Sequence, residues 1–206
     1  MTVLIATDVF GITPAVASLV RSLGCECIVV SPFDDPALWF QSEQKAYHAF
    51  LAEGGISRYA SKVTARLQEQ TLAASGASRI QMAIGFSAGA SALWMASAQP
   101  EAARLQAAVL FYGSRIRDLQ KLQPQCPVRL IFAEKETAFD AAALSKDLQS
   151  LGHQAELARN TSHGFMNPYS RGFHVKTQAL YLTQLAAQIQ ELQLSAAATP
   201  DQLACA

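Results

Sequence analysis

Residues 82–91 read Met-Ala-Ile-Gly-Phe-Ser-Ala-Gly-Ala-Ser. An apolar run from Arg79 to Gly85 leads in, and small and apolar residues from Ala88 to Ala98 lead out. The run reads as a strand, and the second stretch as a helix stopped before Pro100. Ser87 therefore sits on the tight turn between them, with Gly85 and Gly89 on either side. A hydroxyl there is either a nucleophile lifted above a sheet or one more small residue in an alanine-rich chain. The G-x-S-x-G pattern alone is a weak signal, so the rest of the chain has to decide.

The chain has 206 residues, half of them hydrophobic and 16% charged, with a formal net charge of zero. That suits one domain with a real core and excludes a disordered chain. Balanced charge points away from a nucleic-acid partner, and it leaves little repulsion against a homodimer. The four cysteines, Cys25, Cys27, Cys126 and Cys205, show no metal-ligand spacing and no disulfide framework. They read as buried structural thiols. The N-terminus lacks a basic region, and its apolar run is too short for a signal peptide or a membrane span, so the expected compartment is the cytoplasm.

Short apolar runs at Val3–Thr7, Cys25–Ser31, Arg79–Gly85, Ala107–Tyr112 and Pro127–Ala133 read as strands, the second of them buried like the first. A weaker, alternating strand follows at Gln154–Ala158. Helices fall between them: Thr13 caps Pro14–Leu23 with Gly24 as its stop, and others cover about Ser57–Ala74 (closed by Gly76), Ala88–Ala98, Phe139–Leu151 and His174–Leu192. Residues 32–56 show no regular pattern. Strands alternating with helices predict an α/β fold, a mostly parallel sheet with helices on both faces. Residues 1–194 form one domain on this reading, and residues 195–206 a flexible C-terminal tail.

Such sheets carry their sites at the carboxyl ends of the strands. Asp8-Val9-Phe10-Gly11 ends the first strand. Glu134-Lys135-Glu136 ends the fifth, and Ser162-His163-Gly164-Phe165 follows the last. A serine, an acid and a histidine thus occur at strand ends in the order of an α/β-hydrolase. The residue types suit acyl transfer: a serine needs a base, imidazole can take and return its proton, and a carboxylate steadies the imidazolium. The N–H of Ala88 would face a developing oxyanion, and the flanking glycines would permit the strained turn. Phe10, Phe86 and Phe165 are candidate pocket-lining residues. Asp8 is either a site-lining acid or a turn residue. His48, His153 and His174 read as solvent-facing.

Over most of residues 3–185 the chain resembles the dienelactone hydrolase family of α/β-hydrolases. The resemblance rests on V-L-I-A-T-D-V-F-G, I-G-F-S-A-G-A, F-Y-G, C-P-V-R-L-I-F-A-E-K-E and S-H-G-F-M-N-P. It implies an α/β-hydrolase fold that lacks the usual N-terminal antiparallel strands. It places Ser87 at the nucleophile, where family namesakes carry cysteine, and His163 at the base. Glu136 falls at the triad aspartate, with Asp140 or Glu134 as alternatives. Val9 and Ala88 take the backbone oxyanion-hole positions. Asp8 stands where the cysteine enzymes have a glutamate that interacts with the nucleophile. The arginines that grip a substrate carboxylate in the namesake have no clear counterpart, with Arg58 and Arg171 as candidates.

The expected function is hydrolysis of a small ester, lactone or thioester through an acyl-enzyme, with no cofactor or metal. The short middle segment leaves little cover over the site, which favours small substrates. The second reading is a non-catalytic binding protein on the same fold, motivated by the altered acid region. A nucleotide-binding module is disfavoured, since no glycine-rich loop follows the first strand.

Overall fold

A computed structural model describes residues 1–72 and 79–197. Six strands form one sheet: β1 (Thr2–Ala6), β2 (Glu26–Val30), β3 (Ile80–Phe86), β4 (Ala107–Phe111), β5 (Val128–Lys135) and β6 (Gln154–Ser162). Their spatial order is β2-β1-β3-β4-β5-β6, and all five pairings are parallel. The expected sheet is present, and no antiparallel strand joins it among the described residues.

Period-two alternation divides the core. Leu4, Ala6, Leu110 and Leu130 point to one face, where they pack with residues of α3 (Gly55–Leu72), α4 (Ala88–Ser97) and α5 (Ala141–Ser150). Val3, Ile5, Ile84, Val109 and Ile131 point to the other, under α1 (Pro14–Leu23) and α6 (Val175–Ala197). Every residue of β1 and β4 is buried, as strands covered on both sides require. The edge strand β2 differs from its expected burial, because Glu26 is exposed and Cys27 to Val29 are half-covered. Cys25 and Cys27 are accordingly half-buried, with their sulfurs 4.0 Å apart, while Cys126 is buried.

Helix α1 forms as its caps predict: the Val16 N–H donates to Thr13 Oγ1 at 3.3 Å, and Gly24 closes it at φ +63°. The segment 32–56 is not irregular throughout. Helix α2 (Glu43–Ala52) lies within it, capped at its start by Ser42, whose hydroxyl accepts from the Lys45 N–H. The expected stop at Gly76 and residues 198–206, including Thr199-Pro200 and Cys205, lie outside the described residues. No helix among the described residues is long and apolar enough to cross a membrane.

Candidate active site

Ser87 joins β3 to α4 at φ 50° and ψ −110°. That backbone region disfavours any residue with a Cβ and costs on the order of 1–3 kcal/mol. Its surroundings hold it there. The Ser87 N–H donates to Phe111 O at 2.9 Å, and the Ser91 N–H and hydroxyl both donate to Ser87 O, at 3.0 and 3.1 Å.

The two flanking glycines have a different task from the expected one. Neither has a positive φ. A Cβ on Gly89 would lie 2.2 Å from the Ala6 carbonyl oxygen, and one on Gly85 would lie 2.6 Å from the Ala90 Cα. The glycines therefore let α4 press onto the backbone of β1 and β3, while the serine itself adopts the strained conformation.

His163 follows β6, and its Nε2 lies 2.8 Å from Ser87 Oγ. Its Nδ1 lies 3.0 and 3.1 Å from the two carboxylate oxygens of Glu136. With the proton on Nδ1, the ring donates to Glu136 and accepts from the serine hydroxyl. The Glu136 side chain is 3% exposed and that of His163 31%, so the carboxylate is sheltered and the imidazole faces the cavity.

The loop after His163 clamps it. Ser170 donates its hydroxyl to His163 O at 3.2 Å, and the Gly172 N–H donates to the Ser170 oxygen at 3.2 Å. A Cβ on Gly172 would lie 2.0 Å from His163 O, so only glycine fits. The Tyr112 ring meets the imidazole edge-on, with centroids 5.1 Å apart. No spacing in the sequence points to Ser170 or Gly172.

The three competing acids are sorted by their contacts. Asp140 caps α5, accepting from the Ala142 and Ala143 N–H groups at 3.0 and 2.9 Å. Glu134 pairs with Arg159 at 2.8 Å and accepts from the Asn160 N–H at 2.7 Å. Only Glu136 of the three meets the His163 ring.

A cavity of about 870 Å³ opens over Ser87 and His163. Val9 and Ala88 both line it, and neither N–H donates to a protein acceptor among the described hydrogen bonds. Helix α2, absent from the expectation, supplies one wall through Glu43, Tyr47 and Leu51. The site is therefore better covered than the irregular middle segment implied. Arg171 lines this cavity with Arg115 and Arg117. Arg58 lies outside its lining and pairs with Asp34 and Glu53.

The four expected site-lining residues go elsewhere. Phe10 and Phe165 are core residues, 3% and 0% exposed, and line neither this cavity nor the next. Phe86 stacks on Phe111 with centroids 5.3 Å apart and faces a second cavity on the α1–α6 side. Asp8 faces that second cavity too. Its Oδ1 accepts from the Phe10 N–H at 3.0 Å and its Oδ2 from Asn167 Nδ2 at 2.6 Å, so neither oxygen is directed to Ser87 by a hydrogen bond. Burial pushes the Asp8 carboxyl up to about 6, against the lowering effect of those two donors.

The remaining histidines also differ from expectation in part. His48 is exposed, but His153 packs edge-on against Trp94 with centroids 5.1 Å apart. Desolvation lowers its pKa. His174 accepts from the Thr177 N–H and bonds its hydroxyl at the start of α6.

Comparison with known proteins agrees with this architecture. The model of the dienelactone hydrolase family matches residues 1–192. The uncharacterized protein YczH of Bacillus subtilis (strain 168) is 30% identical over 190 residues, spanning 89% of this chain and 88% of its own. A Klebsiella pneumoniae protein assigned to the dienelactone hydrolases superposes with a TM-score of 0.70 at 16% identity, covering 92% of this chain and 86% of that one. A cold-adapted esterase from an Arctic intertidal metagenomic library gives a TM-score of 0.60 at 18% identity, covering 89% and 81%. The near full-length family match, on a parallel sheet with a serine at the β3–α4 turn, leads to one conclusion: the chain belongs to the dienelactone hydrolase family.

Proposed function

We propose that this chain is a serine hydrolase that cleaves a small carboxylic ester, lactone or thioester through an acyl-enzyme. The observation that carries the reading is the continuous hydrogen-bonded line Ser87–His163–Glu136, at 2.8 and 3.0 Å, on a strained turn. Ser87 Oγ attacks the acyl carbonyl as His163 Nε2 takes its proton. Glu136 stabilises the imidazolium through Nδ1–H. The N–H groups of Val9 and Ala88 stabilise the oxyanion, the latter aided by the positive end of α4. The imidazolium then protonates the leaving alcohol, alcohol-type oxygen of the lactone, or thiol. Water, activated by the same imidazole, releases the acyl group and restores Ser87.

The alternative, a non-catalytic binding protein on the same fold, rests on the altered acid region and the trimmed sheet. The 3.0 Å contact between Glu136 and His163 supports the hydrolase reading against the first of these. A fluorophosphonate probe tests the hydrolase reading directly. Wild type should label at Ser87, Ser87→Ala should not, and the alanine variant should lose about 10⁴-fold or more in kcat on short-chain esters. Absence of labelling together with absence of turnover across such a panel would sink it.

A further inference from the structure

The second cavity, on the α1–α6 side of the strand ends, has a volume of about 330 Å³. Val16 and Leu19 of α1, Leu182 of α6, Phe86 and Met166 give it apolar walls. It shares no lining residue with the Ser87 cavity. Asp8 stands among these walls, 7% exposed.

Asp8 has no ion-pair partner in contact among the described residues. His163 and Glu43, both lining the other cavity, act on it only through space, His163 lowering its pKa and Glu43 raising it. Its two bonded partners, the Phe10 N–H and the Asn167 amide, are both neutral. No lysine, arginine or histidine lines the cavity. A buried carboxylate in apolar surroundings normally has a cation or loses its charge. Here an N–H donor on each oxygen favours the ionised form, while burial raises the pKa to about 6. Each carboxylate oxygen accepts one bond and has a lone pair left for another.

Tyr112 supplies a second unused polar atom. It is 1% exposed and lines the same cavity, and its hydroxyl has no hydrogen-bond partner. The Met166 backbone is near enough to act on its ionisation but falls outside hydrogen-bond geometry. A phenol oxygen is an acceptor as well as a donor.

A carboxylate with no cation in its own cavity, a spare acceptor and apolar walls together describe the complement of one ligand class. We propose that the α1–α6 cavity binds a small primary amine, in its ammonium form and carried on an aliphatic or aromatic frame, with Asp8 as its counter-ion. A divalent metal is the wrong occupant, because no group of three or more metal-ligating side chains exists among the described residues. An anionic or purely apolar ligand would leave the Asp8 charge uncompensated. The site is separate from Ser87 and does not depend on the hydrolase reading.

Benzylamine and benzyl alcohol make the test, since they share a frame and differ in charge. Each is titrated into the full-length protein and followed by protein-observed NMR. Benzylamine should bind, shift resonances of Val16, Leu19 and Leu182, and exceed benzyl alcohol in affinity by roughly tenfold or more at neutral pH. Asp8→Asn should bring the two affinities together. Leu19→Trp, which fills the cavity from a half-buried helix position, should abolish binding of both. The proposal is overturned if the alcohol binds as tightly as the amine, or if neither binds up to about 10 mM. It is equally overturned if Leu19→Trp leaves amine binding intact. Should Asp8→Asn fail to fold, the ligand pair and the Leu19 variant still decide the question.

Discussion

Two cavities approach the same row of strand ends from opposite sides, and they are built from neighbouring residues. Val9 lines the Ser87 cavity while Asp8 lines the other; Ser87 lines the first and Phe86 the second. Asp8 and Val9 lie in the turn after β1 and Ser87 in the turn after β3, so each turn supplies both surfaces at once by sending adjacent side chains to opposite sides. The loop after β6 does the same over a longer span, giving His163 to one cavity and Met166 and Asn167 to the other. The difference lies in how charge is treated. Around Ser87 the acid meets a partner at each step. Around Asp8 a single carboxylate is buried against neutral donors.

The sharpest way to break this contrast is at Glu136. Glu136→Gln keeps the shape but turns an acceptor into a group that can donate to His163 Nδ1. The imidazole proton would then sit on Nε2, facing Ser87 Oγ instead of accepting from it. A comparable tautomer error in a serine protease costs about 10⁴-fold in kcat, and a loss of that order is expected here. Fluorophosphonate labelling should slow in parallel, and benzylamine binding at the other cavity should be unchanged. Ester turnover within tenfold of wild type would remove Glu136 from the mechanism.

Asp8 gives the next largest effect, and its sign is the reverse of an ion-paired acid. Its folded pKa, about 6, lies above the ordinary aspartate value of 3.8, because burial outweighs the donors on its oxygens. The folded state therefore holds the proton more tightly than the unfolded chain. The resulting stabilisation is full below about pH 3.8 and is lost as pH rises through about 6. At about 1.4 kcal/mol per pKa unit, the swing is on the order of 3 kcal/mol. Urea melts of wild type and Asp8→Asn between pH 4 and 7.5 isolate it, because other titrating groups cancel in the difference. Wild type should lose stability relative to the variant as pH rises. A difference that stays flat would mean that Asp8 is solvated or paired, and that the two cavities treat charge alike.

Much of the Ser87 side was legible because the acyl transfer proposed for it demands fixed residue types at fixed strand ends. The serine turn, Ser162-His163-Gly164 and Glu136 all fall where a parallel sheet converges its loops. Which cavity each strand end serves was less legible. Asp8 and Phe86 looked like neighbours of Ser87 in sequence, but the turn after β1 and the last residue of β3 send their side chains to the α1–α6 side. Helix α2 was hidden for another reason. Only Ala46 and Phe50 point into the core, while Tyr47 and Leu51 are half-exposed, so no broad apolar face is written in the sequence. Its capping serine, Ser42, followed by Glu43, was the one available signal. The clamp by Ser170 and Gly172 depends on close backbone approach, which has no sequence period at all.

Asp140 offers the smallest effect and the cleanest control. It stands four residues after Glu136 and is the more conventional acid for the position, yet its carboxylate caps α5. Removing a capping aspartate costs about 1 kcal/mol, because two helix N–H groups lose their acceptor. Asp140→Ala should therefore lower the urea midpoint slightly while kcat on a short-chain ester stays within about twofold. The comparison with Glu136→Gln then separates the two carboxylates by kind of effect, one acting on turnover and the other on stability. A large fall in kcat for Asp140→Ala, with stability unchanged, would instead make the capping aspartate the acid and leave Glu136 as its neighbour.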